Sequence, residues 1–179
     1  MAVLEIVKHP DTVLRQKSDA VTDFDKELKK TVENMVQTMR DAKGIGLAAV
    51  QVAITKRILV LDVANIEAQG DDEENEDKIL EEAEVYINPE ILSKAGETEY
   101  EEGCLSIPGV YGMVDRAAEI TIRYQDETGD EYEMEADGLR AIALQHEIDH
   151  LNGVLFIDHL PAMQRSLILA KYNKLQKEE

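Results

Sequence analysis

The stretch Gln145-His146-Glu147-Ile148-Asp149-His150 decides how this chain is organised. On an α-helix, His146 and His150 are four residues apart and project from the same face. Two imidazoles placed in this way can bind one divalent metal ion, and Glu147 beside them is a candidate general base. The alternative is a pair of core histidines that only hydrogen-bond to their neighbours. The presence of Glu147 between the two favours a metal site.

The residues on either side predict that this stretch is one buried helix. Asp137 is a suitable N-cap, and Asn152-Gly153 is a suitable C-terminal stop. Between them a stripe with helical spacing carries both histidines, and we expect it to face the interior. The stripe consists of Leu139, Ile142, Ala143, His146 and His150.

The composition is that of a globular protein, and we expect one domain over residues 1–179. Hydrophobic residues make up 44% of the chain, but no apolar run reaches the about 20 residues that span a bilayer. We find no signal-peptide pattern and expect a cytoplasmic protein without membrane contact. The net charge of −19 argues against direct nucleic-acid binding.

The acidic excess is concentrated in residues 65–84, which hold ten acids and one base. Such a segment can be a docking surface for a basic partner or a solvated loop insertion. Because a run of like charges repels itself and is well hydrated, we interpret it as a surface insertion.

Hydrophobic periodicity predicts an α+β fold with antiparallel β-sheets packed around a central metal-binding helix. We expect an N-terminal helix capped by Thr22-Asp23 and a C-terminal helix that starts near Pro161. The candidate strands are Val3–Val7, residues 57–63, residues 85–88 (ended by Pro89), residues 96–102, a hairpin over residues 119–136, and a strand or turn at residues 155–160.

The segment from Gly44 to Gln51, of sequence GIGLAAVQ, superficially fits a dinucleotide-binding loop. That loop needs a strand before it and a helix after it, whereas here a predicted helix comes before and a strand after. We therefore reject it. The two glycines indicate either a structural turn or backbone that closely approaches a ligand. Gln51 is a polar side chain that can donate from its amide.

A hydrolytic metal site of this kind needs a third protein ligand. The long zinc-protease pattern places Phe156 where a third histidine belongs, and the later acids Glu178 and Glu179 stand at the terminus. The single cysteine, Cys104, remains, in a turn-rich setting. Cysteine with two histidines leaves one position open for water and suits Zn²⁺ or Fe²⁺.

Three stretches of the chain resemble the signature motifs of the peptide deformylase family. They are GIGLAAVQ at residues 44–51, EGCLS at 102–106 and QHEIDH at 145–150, in the family's order and with similar spacing. The resemblance implies that Cys104, His146 and His150 bind the metal, usually Fe²⁺, with Zn²⁺ or another divalent ion as a substitute. It also implies that Glu147 moves a proton, and that the Gln51 amide and the Leu105 backbone N–H stabilise the oxyanion.

The implied reaction removes the formyl group from N-formyl-methionyl peptides and releases formate. The resemblance implies that Gly44 and Gly46 contact the peptide backbone in extended form, and that Ile45, Leu139, Ile142 and Ala143 surround the methionine side chain. It also suggests that the chain works near the ribosome, and we expect a monomer. The alternative, a metallopeptidase or amidase built on the same helix, needs a third His or Glu ligand. The carboxylates nearest in sequence to the ligands, Glu102 and Asp149, are candidates to support them.

Overall fold

The computed structural model of the chain describes residues 2–69 and 82–178. In these residues the α-helices are α1 (Lys26–Asp41), α2 (Val63–Gln69), α3 (Gly138–Leu151) and α4 (Ala162–Lys177). The strands are β1 (Gly46–Ala48), β2 (Ile58–Leu61), β3 (Glu84–Ala95), β4 (Thr98–Cys104), β5 (Ile107–Arg116), β6 (Glu119–Gln125) and β7 (Glu131–Asp137).

The strands form two antiparallel sheets, with the order β1-β2-β3-β6-β7 in one and β4-β5 in the other. Helix α3 packs on the larger sheet through an apolar cluster that includes Ala141, Leu144 and Ile148. The smaller sheet shares a second cluster with α4, which contributes the buried Tyr172. The predicted α+β class, with antiparallel sheets around a central helix, is confirmed.

Helix α3 is buried on almost every side, since every residue from Ala141 to Leu151 except Asp149 is buried. Its bounds agree with the predicted stop at Asn152, and its N-cap is Asp137, although the Asp137 side chain makes no capping hydrogen bond. Both histidines of the helix are buried, as the apolar stripe predicted.

Several predicted element boundaries are wrong. Val3–Val7 is not a strand, although the Val7 N–H donates to the Gln51 carbonyl at 2.7 Å. Helix α1 is capped by Asp25, whose carboxylate accepts from the Leu28 N–H, and not by Thr22-Asp23. Strand β3 continues past Pro89. The strand pairing is irregular between Ile87 and Glu90, and at such a bulge the N–H that proline lacks is not needed for pairing. Residues 156–159 form a 3₁₀-helix.

The acidic insertion predicted over residues 65–84 lies mostly outside the described residues. Its first residues belong to α2, and Glu84 begins β3. No helix within residues 2–69 and 82–178 combines the length and apolar character needed to cross a membrane.

Candidate active site

Two separate elements bring the three predicted metal ligands together. Helix α3 supplies His146 and His150 one turn apart, and Cys104 stands at the end of β4, where the chain turns into β5. The His146 and His150 Nε2 atoms are 3.2 Å apart, and Cys104 Sγ is 3.3 Å from His150 Nε2. One donor atom from each of the three residues lies within 4.8 Å of the others.

These distances fit a single divalent ion. In a tetrahedral zinc site the donor atoms are separated by about 3.4 Å for two nitrogens and about 3.6 Å for nitrogen and sulfur. The separations of 3.2 and 3.3 Å are close to those values. A thiolate with two imidazoles is also a donor set of the right chemistry for Zn²⁺ or Fe²⁺. The three residues therefore form a site that a divalent metal fits.

A network of charged side chains contacts the Nδ1 side of the His146 ring. Its Nδ1 lies 2.8 Å from Glu102 Oε1, and Arg116 pairs with both Glu102 (2.8 Å) and Asp149 (2.6 Å). His159 completes the network through Asp149, at 2.8 Å. Because the Glu102 carboxylate occupies Nδ1, the Nε2 atom of His146 is directed at the other ligands. Sequence reasoning suggested Glu102 and Asp149 but missed Arg116, whose partners are 14 and 33 residues away.

The two histidines have opposite pKa shifts. Burial lowers the pKa of His146, but hydrogen bonds with Cys104 and Glu102 outweigh it and raise that pKa well above its ordinary value. Burial and the charge of His146 lower the pKa of His150. Burial also opposes ionisation of Glu102, yet hydrogen bonds from Arg116 and His146 lower the pKa of Glu102 to about 2. Glu102 is therefore a carboxylate, the form that accepts a hydrogen bond from Nδ1 of His146.

Glu147 has the environment of a general base. Its side chain is buried, and its Oε1 atom is 3.8 Å from His146 Nε2. Burial raises the pKa of Glu147 to about 7. Its Oε2 atom is buried and has no hydrogen-bond partner among the described residues. A carboxylate with a pKa near neutrality can both take and return a proton.

Gln51 reaches the same site from the 3₁₀-helix that follows β1. Its Oε1 accepts the Ala48 N–H at 2.9 Å. Its Nε2 donates to Ser106 Oγ at 3.1 Å and lies 3.5 Å from Cys104 Sγ. Sequence reasoning missed Ser106, which is next but one to Cys104 and completely buried.

A pocket of about 360 Å³ opens over these groups. His150 is not among its lining residues and is only 1% exposed. All other predicted site residues line it: Gly44, Ile45, Gly46, Gln51, Cys104, Leu105, Leu139, Ile142, Ala143, His146 and Glu147. The segment from Gly44 to Gln51 therefore contributes Gly44, Ile45, Gly46 and Gln51 to the pocket wall.

A metal-ligand triad beside a buried carboxylate, at the floor of an open pocket, defines the class of metallohydrolases. The comparisons with known proteins narrow this class. Residues 3–166 match the family model described as polypeptide deformylase. The chain belongs to the polypeptide deformylase family, whose activity is removal of the N-formyl group from peptides, and the predicted family and enzyme class are thereby confirmed.

Similar proteins cover nearly the whole chain. The peptide deformylase of Chromobacterium violaceum is 44% identical over 99% of both chains, and that of Agrobacterium fabrum is 45% identical over 97% of this chain and 96% of its own. The crystal structure of a deformylase from Legionella pneumophila superimposes with a TM-score of 0.86 at 40% identity, covering 98% and 96% of the two chains. That of Synechococcus elongatus, in complex with actinonin, gives 0.85 at 41% identity, covering 95% of this chain and 88% of its own.

Proposed function

We propose that this chain hydrolyses the formyl group of N-formyl-methionyl peptides with the residues that line its pocket. The observation that carries the proposal is the convergence of the Cys104, His146 and His150 donor atoms beside the buried carboxylate of Glu147. Cys104, His146 and His150 hold the metal. The family's usual ion, Fe²⁺, is the proposed native one, with Zn²⁺ as a substitute.

A divalent ion bound there supplies Lewis acidity, which makes water a stronger nucleophile at neutral pH. Glu147 takes a proton from the attacking water and returns it to the leaving amine. The Gln51 amide and the Leu105 backbone N–H donate to the oxyanion that forms on the formyl oxygen; a donor of this kind contributes about 3–4 kcal/mol. Formate and a free amino terminus are the products.

The pocket wall accounts for the proposed substrate. Ile45, Leu139, Ile142 and Ala143 line the pocket and provide an apolar surface for the methionine side chain. Gly44 and Gly46 present backbone to the peptide in extended form. A formyl carbon bears only hydrogen, so a narrow site around the ligands excludes larger acyl groups.

We further propose one catalytic domain over residues 1–179, acting as a monomer on nascent chains near the ribosome. Basic residues of α4 support the ribosome proposal, and the net charge of −19 weighs against it.

Replacing the base tests the proposed mechanism. We expect Glu147→Ala to lose at least about 10²-fold in rate, because an essential acid–base group is removed, and to keep its metal. The measurement is formate release from a formyl-methionyl peptide by anaerobically purified protein, with metal content determined in parallel. Glu101→Ala is the matched control, since Glu101 is an exposed carboxylate that lines the same pocket. Near-normal formate release by Glu147→Ala would remove Glu147 from the mechanism.

A further inference from the structure

We propose that Ser106 is a positioning residue that fixes the direction of the Gln51 amide. The proposal rests on the proposed function, in which Gln51 donates to the oxyanion. Ser106 is 0% exposed and Gln51 is 1% exposed, so water does not compete for their hydrogen bond of 3.1 Å. A buried donor that lost this partner would have to find another, because unpaired buried N–H groups are costly.

Backbone contacts establish which end of the Gln51 amide faces the ligands. The Ala48 N–H can only donate, and it lies 2.9 Å from the Gln51 atom assigned as oxygen. The opposite end of the amide must therefore be the NH₂ group, even though the two ends are similar in shape. That group lies against Ser106 Oγ and Cys104 Sγ.

Ser106 determines how the two hydrogens of this NH₂ group are used. The hydroxyl oxygen accepts one N–H, and because the amide is planar the second N–H is held at a fixed angle to it. The second N–H then faces Cys104 Sγ, 3.5 Å from Nε2, beside the position proposed for the formyl oxygen. The terminal torsion of a glutamine is soft, so without Ser106 only the Ala48 contact and the longer contact with Cys104 Sγ would limit its rotation. The amide would remain in the site, but its second N–H would be less precisely oriented toward the formyl oxygen.

The backbone of both residues is braced by the same segment. The Val7 N–H donates to the Gln51 carbonyl at 2.7 Å, and the His9 N–H donates to the Ser106 carbonyl at 2.8 Å. The His9 carbonyl in turn accepts from the Tyr172 hydroxyl of α4 at 2.8 Å. This brace ties the main chains of Gln51 and Ser106 to one segment, so the Ser106 hydroxyl keeps its place beside the Gln51 amide.

A double-mutant cycle on the metal-loaded enzyme tests the proposal. We expect Ser106→Ala to lower kcat roughly 3- to 10-fold, the equivalent of one hydrogen bond, with KM for a formyl-methionyl peptide and metal content unchanged. Gln51→Ala should lower kcat by about 10²- to 10³-fold. In the Gln51→Ala background, Ser106→Ala should cause no further loss, because the group that it positions is gone. Ser106→Cys, which retains a weak acceptor, should fall between Ser106 and Ser106→Ala.

The cycle separates positioning from a structural role. Equal losses from Ser106→Ala with and without Gln51 would overturn the proposal, as would an unchanged kcat. Should Ser106→Ala fail to fold, the same cycle is run with Ser106→Cys, and additive losses there count against positioning in the same way. If Gln51→Ala keeps full activity, Gln51 does not stabilise the oxyanion, and that part of the proposed function is wrong. The single variant Gln51→Ala shows this without the rest of the cycle.

Discussion

At the scale of single residues, Gly46 lets the pocket wall approach the proposed base closely. A Cβ atom at this position would lie 3.1 Å from Glu147 Cγ and 2.8 Å from Leu61 Cδ2. Leu61 is fully buried and cannot move away easily, so an added methyl group would displace the Glu147 side chain. Gly46 therefore has a steric role in addition to the proposed backbone contact with substrate.

We expect Gly46→Ala to lower kcat/KM about 10-fold, the result of roughly 1–2 kcal/mol of overpacking against Glu147, with metal content retained. Steady-state formate release and metal analysis provide the measurements. Gly44→Ala is an informative comparison, because its methyl group would meet Leu105 Cδ1 instead of Glu147. Equal kcat in Gly46→Ala and the parent enzyme would show that Glu147 tolerates the displacement.

The residues that the sequence revealed are those with a recognisable spacing or chemistry. His146, His150 and Glu147 share a helix, so their proximity follows from helical geometry. Cys104 stood out as the single thiol. Arg116 could not be found in this way, because an arginine has no distinctive pattern and its partners lie on other elements. Ser106 belongs to the quoted stretch EGCLS, but its contact with Gln51 joins two distant segments of the chain.

At the scale of elements, Arg116 joins the small sheet to α3. Its side chain is 4% exposed and connects Glu102 on β4 with Asp149 on α3. A buried charge that loses its partner costs much more than the pair itself contributes. The network therefore couples the packing of two elements to the orientation of the ligand His146.

For this reason we expect Arg116→Met to lower the free energy of unfolding by about 3–5 kcal/mol and to weaken metal binding about 10- to 100-fold. Chemical denaturation and metal titration would measure the two effects. Adding Glu102→Gln to Arg116→Met should recover part of the stability, since it removes the unpaired charge and keeps an acceptor for His146. A double variant as unstable as Arg116→Met alone would contradict this explanation.

A second ion pair fastens the segment before α1 to the chain after α3. Arg15 pairs bidentately with Asp158, at 2.5 and 3.1 Å, and the Leu155 N–H donates to the same carboxylate. Burial opposes ionisation of Asp158, but these hydrogen bonds outweigh it and lower the pKa of Asp158 below its ordinary value. Both side chains of the pair are partly exposed, so its contribution is modest.

The pH dependence of stability follows from the sign of that shift. A carboxyl group with a lowered folded-state pKa stabilises the protein above its unfolded pKa of about 3.8, and the effect disappears as pH falls through the lower folded value. We expect Asp158→Asn to cost up to about 1 kcal/mol at pH 7, and progressively less as pH falls below the unfolded value of about 3.8. Urea unfolding of both proteins across this range is the measurement, and a difference that does not change with pH would count against the assignment.

The elements themselves were largely predictable, because α1, α3, β2 and the β6–β7 hairpin have clear hydrophobic periodicity. Strand β5 was missed because its sequence IPGVYGMVDR contains a proline and two glycines, which normally indicate a turn. The sequence also predicted that a strand ends at Pro89, because proline normally interrupts a strand. In the structure Pro89 lies at a bulge within β3. In both places tertiary contacts outweigh local propensity.

At the scale of the whole molecule, the charge of −19 creates a long-range field that favours cationic substrates. We expect kcat/KM for a formyl-Met-Lys peptide to exceed kcat/KM for a formyl-Met-Glu peptide, and the ratio of the two values to be largest at about 10 mM ionic strength. At about 0.5 M the long-range field is screened, and the ratio should fall to the value that local contacts alone produce. Initial rates of formate release at a series of salt concentrations test this. A ratio independent of salt would mean that the field does not steer the substrate.

The brace from Tyr172 through His9 to Ser106 also has a consequence for the order of biosynthesis. Helix α4 follows every residue of the pocket in the chain, and domains fold progressively as they emerge during translation. A growing chain that already contains α3 and its histidines still lacks the Tyr172 hydroxyl, which donates to the His9 carbonyl. This support is therefore completed only once α4 has been made, and a chain truncated before Tyr172 would contain all three proposed metal ligands while His9, and through it Ser106, lacked this contact.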